Sequence, residues 1–101
     1  MKLEGMLPVG SVVLIGDNTK RLMIIGFLQQ EAETENVWDY VGIPYPEGYM
    51  GSERTYLFNH SQITRVFSIG YQDDEQFAFS VQLEKAAEEL RKQSEGTRPD
   101  E

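Results

Sequence analysis

The chain has 101 residues, of which 40% are hydrophobic and 11% aromatic, a composition typical of one small globular domain. Seventeen acidic residues oppose nine basic ones, and the resulting net charge of −8 argues against nucleic acid and anionic membranes as partners. The absence of cysteine excludes disulfides and thiolate chemistry. It also suits a reducing cytoplasm, which is where we expect the protein to act.

A single globular domain is predicted over residues 1–93. The first apolar run, residues 12–15, is far too short for a signal peptide or for the roughly 20 residues of a membrane span. Residues 94–101 contain Gly96 and Pro99 and no apolar side chain, so they cannot bury enough surface to offset their ordering entropy. We therefore predict a disordered C-terminal tail over 94–101.

Two strands are predicted in the first third of the chain. Residues 11–15 are apolar and mostly β-branched, and a cluster of turn-forming residues follows them. Residues 20–29 are almost continuously apolar, as in a central strand, and Gly26 in their middle would permit a bulge. A solvated acidic loop is predicted next, with the glutamates Glu31, Glu33 and Glu35.

The middle of the chain alternates predicted strands with irregular segments. Residues 37–43 alternate aromatic and aliphatic side chains, which predicts a strand with two different faces. Prolines and glycines interrupt residues 44–51 too often for regular structure. Two further short strands are predicted at residues 54–59 and 64–69, with a turn between them.

The last element is predicted to be an amphipathic helix over residues 74–93. Asp73 and Gln76 have the spacing of a capping box, and acidic residues suit the positive end of a helix dipole. Apolar residues then recur with a period of 3.6 and form a stripe of Phe79, Leu83, Ala86, Ala87 and Leu90. Residues 76–83 also alternate with period two, so a strand followed by a shorter helix is an alternative.

These elements predict an α+β fold, with a small, strongly coiled antiparallel sheet or barrel-like meander of four to five strands and one C-terminal amphipathic helix. No helix separates the strands, which excludes parallel crossovers. The helix stripe is expected to cover the open end of the sheet or a partner's surface. The core is expected to include Met23, Ile25, Val41, Phe67 and their neighbours.

The sequence holds no catalytic or cofactor signature. His60 is the single histidine, and without cysteines it lacks the companions that a metal site or a catalytic triad would need. No serine lies in a Gly-x-Ser-x-Gly elbow, and the glycines form no phosphate-binding loop. We therefore expect no enzymatic activity, no cofactor and no metal, with His60 as an exposed residue of a turn.

Aromatic side chains accumulate between residues 38 and 56. Trp and Tyr are enriched at binding hot spots because they bury much area with little loss of entropy. The candidate protein-binding residues are Trp38, Tyr40, Tyr45, Tyr49 and Met50. The structural alternative is that Trp38 and Tyr56 fill the core while Tyr45 and Tyr49 hold the long loop in place.

Several linked segments carry a resemblance to a known family. They read Leu-Pro-Val-Gly-Ser at 7–11, Thr-Lys-Arg-Leu-Met-Ile-Ile-Gly at 19–26, Trp-Asp-Tyr-Val-Gly at 38–42 and Tyr-Pro-Glu-Gly at 45–48. With Gly70 and Tyr71 before an acidic helix start, they resemble a small Gram-positive family of unknown function numbered 4176. The resemblance covers residues 5–92.

The resemblance implies a role for the protein but no chemistry. Members of that family are typically encoded near type VIIb secretion components and the LXG-type toxins that these systems export. This implies a non-enzymatic adaptor, chaperone or targeting factor whose partner is a secreted toxin or a secretion component. An immunity protein is the alternative, because a small acidic domain can complement the basic active site of a nuclease. The sequence leaves the oligomeric state open.

Overall fold

A computed structural model describes residues 5–31, 34 and 36–96, with side chains as far as Arg91. Its regular elements are β1 (Val12–Ile15), β2 (Leu22–Gln30), β3 (Val37–Pro44), β4 (Tyr56–Phe58), β5 (Ile63–Ser68) and α1 (Asp74–Gly96). Two 3₁₀ turns, Ser52–Arg54 and His60–Gln62, flank β4. The predicted α+β fold is confirmed. Of the predicted acidic loop and tail, Glu33, Glu35 and residues 97–101 lie outside the described part.

The strands form one antiparallel sheet in the order β4-β3-β2-β1-β5. The first four strands follow each other as a meander, but β5 pairs with β1 at the opposite edge from β4. Neighbouring strands lie about 4.8 Å apart, so the edges of a flat five-stranded sheet would be separated by roughly 19 Å. The connection over residues 59–62 contains a 3₁₀ turn and is too short to cross that distance. The sheet therefore curls strongly, although it does not close into a barrel.

The curl creates an inner face that holds the core. The side chains of Val13, Ile24, Tyr40 and Phe58 are completely buried there. The rings of Tyr40 and Phe58 pack with their centroids 5.4 Å apart. The remaining members of the buried cluster are Leu7, Ile15, Leu22 and Ile63. β1 and β5, from opposite ends of the sequence, thus contribute to one core with the central hairpin.

The four residues named for the predicted core lie outside it, although neighbours such as Ile24 and Tyr40 belong to it. Ile25 and Phe67 are 39% and 43% exposed, and Met23 and Val41 are only half-buried. Within β2 it is the neighbouring Ile24 that faces the core, and a register shift follows it, at the glycine where a bulge was predicted. Because adjacent strand residues point to opposite faces, an error of one position exchanges the two sides of a strand.

Helix α1 begins where its capping signals predict. The backbone N–H of Gln76 donates to Asp73 Oδ1 over 2.9 Å. Residues 76–83 are helical throughout, so the alternative strand is wrong. The helix continues to Gly96, three residues beyond the predicted end. No helix within the described ranges is long and apolar enough to cross a membrane.

Helix α1 packs on the inner face, against β2 and β3. Leu83 and Ala87 are buried in this contact, and the ring centroid of Phe79 lies 5.9 Å from that of Phe27. The buried stripe is narrower than predicted, because Ala86 is exposed and Phe79 remains 47% exposed. The helix therefore covers one side of the sheet and does not cover the other side.

Candidate functional site

The side of the sheet opposite α1 is called the outer face here, and it is largely apolar. Cross-strand pairing aligns Val12, Met23 and Ile43 on this face, and Val41 pairs there with Leu57. Val12 and Ile43 are buried, whereas the other three side chains are partly exposed. Since α1 packs on the opposite side, no helix among the described residues covers the outer face.

Two arginines and two aromatic rings form a cluster on the outer face. The guanidinium carbon of Arg21 lies 5.2 Å from the ring centroid of Tyr45 and 5.9 Å from that of Phe67. The guanidinium carbon of Arg65 lies 4.7 Å from the same Phe67 centroid. A cation above an aromatic ring is attracted by the ring quadrupole, so the two rings help to hold both guanidinium groups in position.

Strand alternation explains why these side chains meet. Val66 packs against the core, so its neighbours Arg65 and Phe67 point to the outer face. Arg21 precedes the buried first residue of β2 and points outward for the same reason. The backbone N–H of Tyr45 donates to the carbonyl of Arg21 over 2.9 Å, which extends the pairing of β2 with β3 and places the two side chains together.

The predicted protein-binding residues divide between the surface and the interior. Tyr45, Tyr49 and Met50 are 38%, 66% and 46% exposed, and only Tyr45 belongs to the cluster on the outer face. Trp38 is half-buried, and its Nε1 donates to Glu31 Oε1 over 3.2 Å. The structure thus leaves the loop after β3 exposed but fixes the indole against the start of the acidic loop.

Tyr40 is completely buried, so its side chain is not available to a partner. Its prediction as a protein-binding residue is therefore wrong. Its Oη accepts a hydrogen bond from the N–H of Leu7 over 2.9 Å and lies 2.6 Å from His60 Nδ1. Burial raises the pKa of Tyr40 to about 12. His60 is half-buried beside this hydroxyl, and the expectation of an exposed turn histidine is wrong. The predicted core role of Tyr56 is also wrong, since this residue is 43% exposed.

A second polar cluster joins α1 to the end of β3. Asp39 is 6% exposed, its Oδ1 accepts from Arg91 Nη2 over 2.7 Å, and its Oδ2 accepts from the His60 N–H over 2.8 Å. An open cleft of about 350 Å³ lies beside it and includes Glu84 and Glu88 from α1. Within the described ranges, no group of three or more His, Asp or Glu side chains is arranged to hold a metal. The cluster therefore has a clear structural role, which is to fasten the helix to the sheet.

Sequence reasoning missed Arg21, Arg65 and Phe67 as candidate site residues. The available signal was their position, because in a strongly acidic chain Arg21 lies directly before β2 and Arg65 lies within β5. Their convergence depends on the pairing of β1 with β5, which no local pattern predicts. Among the described residues, the outer face with Tyr45 at its end thus brings exposed aromatic and cationic side chains together.

Comparison with known families gives a match over most of the chain. A family profile described as Domain of unknown function (DUF4176) matches residues 6–79, which include all five strands and the first turns of α1. No curated protein and no solved structure gives a match. Because the profile covers most of the chain and the matched segment contains the whole sheet, this protein belongs to the DUF4176 family of unknown function.

Proposed function

We propose that the protein is a non-enzymatic protein-binding accessory factor, an adaptor, chaperone or targeting factor in the type VIIb secretion of LXG-type toxins. The observation that carries protein binding is the outer face, where Tyr45 and Phe67 expose aromatic rings on a sheet surface left bare by α1. Exposed apolar patches of this kind mark interaction sites. The family resemblance described above supports the secretion pathway as the setting.

The fixed positions of the exposed rings also favour protein binding. Arg21 contacts both Tyr45 and Phe67, so the rings belong to one contiguous cluster. Side chains that are already held in place lose little conformational entropy when a partner covers them, and more of the interaction energy then appears as affinity. The loop after β3 adds two exposed apolar side chains, Tyr49 and Met50.

Co-expression with the LXG-type toxin encoded nearest to this gene tests the proposal. We expect the two proteins to co-purify, and the double variant Tyr45→Ala and Phe67→Ala to weaken binding by more than about 2 kcal/mol in calorimetry, as for hot-spot residues. Phe77→Ala is the matched control, because Phe77 is 55% exposed on α1, away from the outer face. Absence of a complex, or equal weakening by the control, would refute the proposal.

An immunity protein is the second candidate, and the net charge of −8 favours it because a nuclease toxin presents a basic active site. The two roles differ in what binding does to the toxin. An immunity protein abolishes toxicity when both proteins are produced in the cytoplasm, whereas an adaptor binds without protecting the cell.

Salt dependence provides a second distinction between the two candidates. Charge steering by exposed carboxylates is screened over about 8 Å at physiological ionic strength, so immunity binding should weaken steeply as salt rises. Asp39 is not part of such a steering surface, because it is buried and paired with Arg91. Replacing Glu31, Glu33 and Glu35 together by Gln removes their charges and keeps an oxygen that can accept from Trp38 Nε1, so it should impair an immunity complex and leave an adaptor complex unchanged.

A further inference from the structure

We propose that the outer face binds an acidic, apolar segment of a partner protein, with one Asp or Glu carboxylate held between Arg21 and Arg65. Neighbouring apolar side chains of the segment would cover the rings of Tyr45 and Phe67. The proposal rests on the proposed protein-binding function and specifies the chemistry of the segment that this surface recognises.

Arg21 and Arg65 form no salt bridge among the described residues, although Glu47, which is hydrogen-bonded to Lys20, lies close enough to Arg21 for the two charges to attract each other. Lys20 pairs with Glu47 over 2.6 Å and Arg91 pairs with Asp39 over 2.7 Å. In the part of the chain that the structure describes, no carboxylate lies within salt-bridge distance of Arg21 or Arg65. A chain with seventeen acidic residues therefore keeps two exposed arginines against aromatic rings instead of pairing them.

The contact with rings leaves these arginines able to bind an anion. A guanidinium presents five N–H donors in its own plane, and an aromatic contact with its face occupies none of them. Both cations approach the same Phe67 ring, at 5.9 Å and 4.7 Å, so they repel each other in the unbound protein. A carboxylate between them would gain attraction from both and would remove that repulsion.

The surroundings of the two arginines favour a protein segment over a free polyanion. Phe67 and Tyr45 are 43% and 38% exposed, and the half-buried Met23 and Val41 lie on the same face, so a ligand must also cover apolar surface. The net charge of −8 repels nucleic acid, which carries a dense series of phosphates. A single carboxylate flanked by apolar side chains satisfies both conditions.

Selection from a phage-displayed library of random dodecapeptides tests this chemistry without the toxin. The full-length protein is immobilised, and the double variant Arg21→Glu and Arg65→Glu is used in parallel. We expect the wild type to enrich peptides with Asp or Glu beside Leu, Ile, Phe or Trp. Synthetic copies of these peptides should bind the double variant about tenfold more weakly or worse, because charge-assisted hydrogen bonds are lost.

The matched control is the double variant Lys85→Glu and Lys92→Glu, which makes the same change in net charge at two positions of α1, the helix on the opposite side of the sheet from the outer face. It should bind the selected peptides as the wild type does, and circular dichroism should show all variants folded. Enrichment of basic peptides, of peptides without charge preference or of none would overturn the proposal. So would an equal loss of binding in the control.

Self-association is measured by sedimentation, because α1 itself carries an acidic and apolar stretch with Asp74, Glu75 and Phe77. If the wild type forms a dimer and the double variant Arg21→Glu and Arg65→Glu is a monomer, a second copy of the chain occupies the outer face. This result would also overturn the proposal. Acidic peptides selected by a protein that does not bind the toxin would support the recognition chemistry and reject only the proposed pathway. Toxin binding without selection of acidic peptides would support the proposed pathway and reject the recognition chemistry.

Discussion

Individual polar residues in the interior of this protein are held by specific partners. Ser11 is completely buried, and its hydroxyl donates to the Pro8 carbonyl over 2.8 Å and accepts from the Gly70 N–H over 3.0 Å. The first bond closes the turn that leads into β1, and the second joins the residue before β1 to Gly70, which follows β5. A buried polar group without a partner costs about 1 to 3 kcal/mol, so each of these bonds constrains the fold more than its small net energy suggests.

The hydroxyl of Tyr40 is the clearest case for measurement. Tyr40→Phe should lower the free energy of unfolding at neutral pH by about 1 to 3 kcal/mol, because the Leu7 N–H and His60 Nδ1 both lose a buried partner. Urea denaturation measures this loss. Tyr56→Phe is the control, since Tyr56 is 43% exposed, and it should leave stability unchanged.

The same residue predicts a dependence of stability on alkaline pH. Burial raises the pKa of Tyr40 from its ordinary 10.0 to about 12 in the folded protein. Between these values the unfolded chain has lost the proton and the folded chain has kept it, so stability falls by about 1.4 kcal/mol per pH unit as pH rises. Tyr40→Phe should remove this component, and its stability difference from the wild type should shrink over this range. A difference that stays constant would contradict the prediction.

Gly42 on β3 allows a test of how tightly the inner face is packed. A Cβ at this position would lie 2.9 Å from Phe58 Cε1 and 3.3 Å from Leu22 Cβ. Gly42→Ala should therefore destabilise the protein by about 1 to 3 kcal/mol through overpacking. Gly26→Ala is the control, because its nearest neighbour is Val41 Cγ2 at 3.7 Å, an ordinary contact. Equal melting temperatures for the two variants would show that the inner face can adjust.

At the scale of the elements, helix α1 is attached to the sheet by a narrow stripe. Leu83 is 8% exposed and Val81, on the other side of the helix, is 53% exposed. Leu83→Asp should cost several kcal/mol because it buries a carboxylate without a partner, whereas Val81→Asp should change stability by less than about 0.5 kcal/mol. Thermal denaturation of the two variants checks this, and a tolerated Leu83→Asp would mean that the helix does not depend on this stripe.

The elements themselves could be predicted from the sequence because their signals are local. Alternation, turn residues and capping spacing predicted all five strands and α1, with boundaries that differ by up to three residues. The face of β2 was wrong because the hydrophobic run is nearly continuous, and only the register shift after Ile24 decides which residues point inward. The pairing of β5 with β1 rather than β4 depends on residues far apart in sequence, so no periodicity indicates it.

The candidate site was predictable only in part, for the same reason. Prolines and glycines after β3 indicated an irregular loop, and the structure shows that Tyr45, Tyr49 and Met50 are exposed there. That they bind a partner stays a prediction. Arg21 and Phe67 are 46 positions apart and meet through the pairing of β1 with β5, so their cluster follows from tertiary structure alone.

The whole molecule combines a curled sheet with one helix in an uneven arrangement. α1 supplies buried contacts to the inner face, while the outer face keeps aromatic and cationic side chains in contact with solvent. One edge of the sheet offers little backbone for strand addition, because β4 has only three residues. Binding is therefore expected on the outer face of the sheet and not along the β4 edge.

The sequence separation between paired strands has a consequence for the kinetics of folding. β2 and β3 are joined by a short loop and form the longest ladder, whereas β1 and β5 pair residues such as Val12 and Ser68 that are far apart along the chain. Closing a long loop costs more entropy than closing a short one, so the β2–β3 hairpin should form early and β5 should dock late.

Late docking of β5 makes this strand the first to detach. Ile63→Val should speed unfolding with little effect on the folding rate, whereas Ile24→Val in β2 should slow folding, and stopped-flow measurements in urea separate the two. A slower folding rate for Ile63→Val would contradict this order.

Since β5 carries both Arg65 and Phe67, transient opening of this one edge strand would disrupt the outer face while the central hairpin stays intact. Occupancy of that face should therefore slow the amide hydrogen exchange of β5 more than that of any other strand.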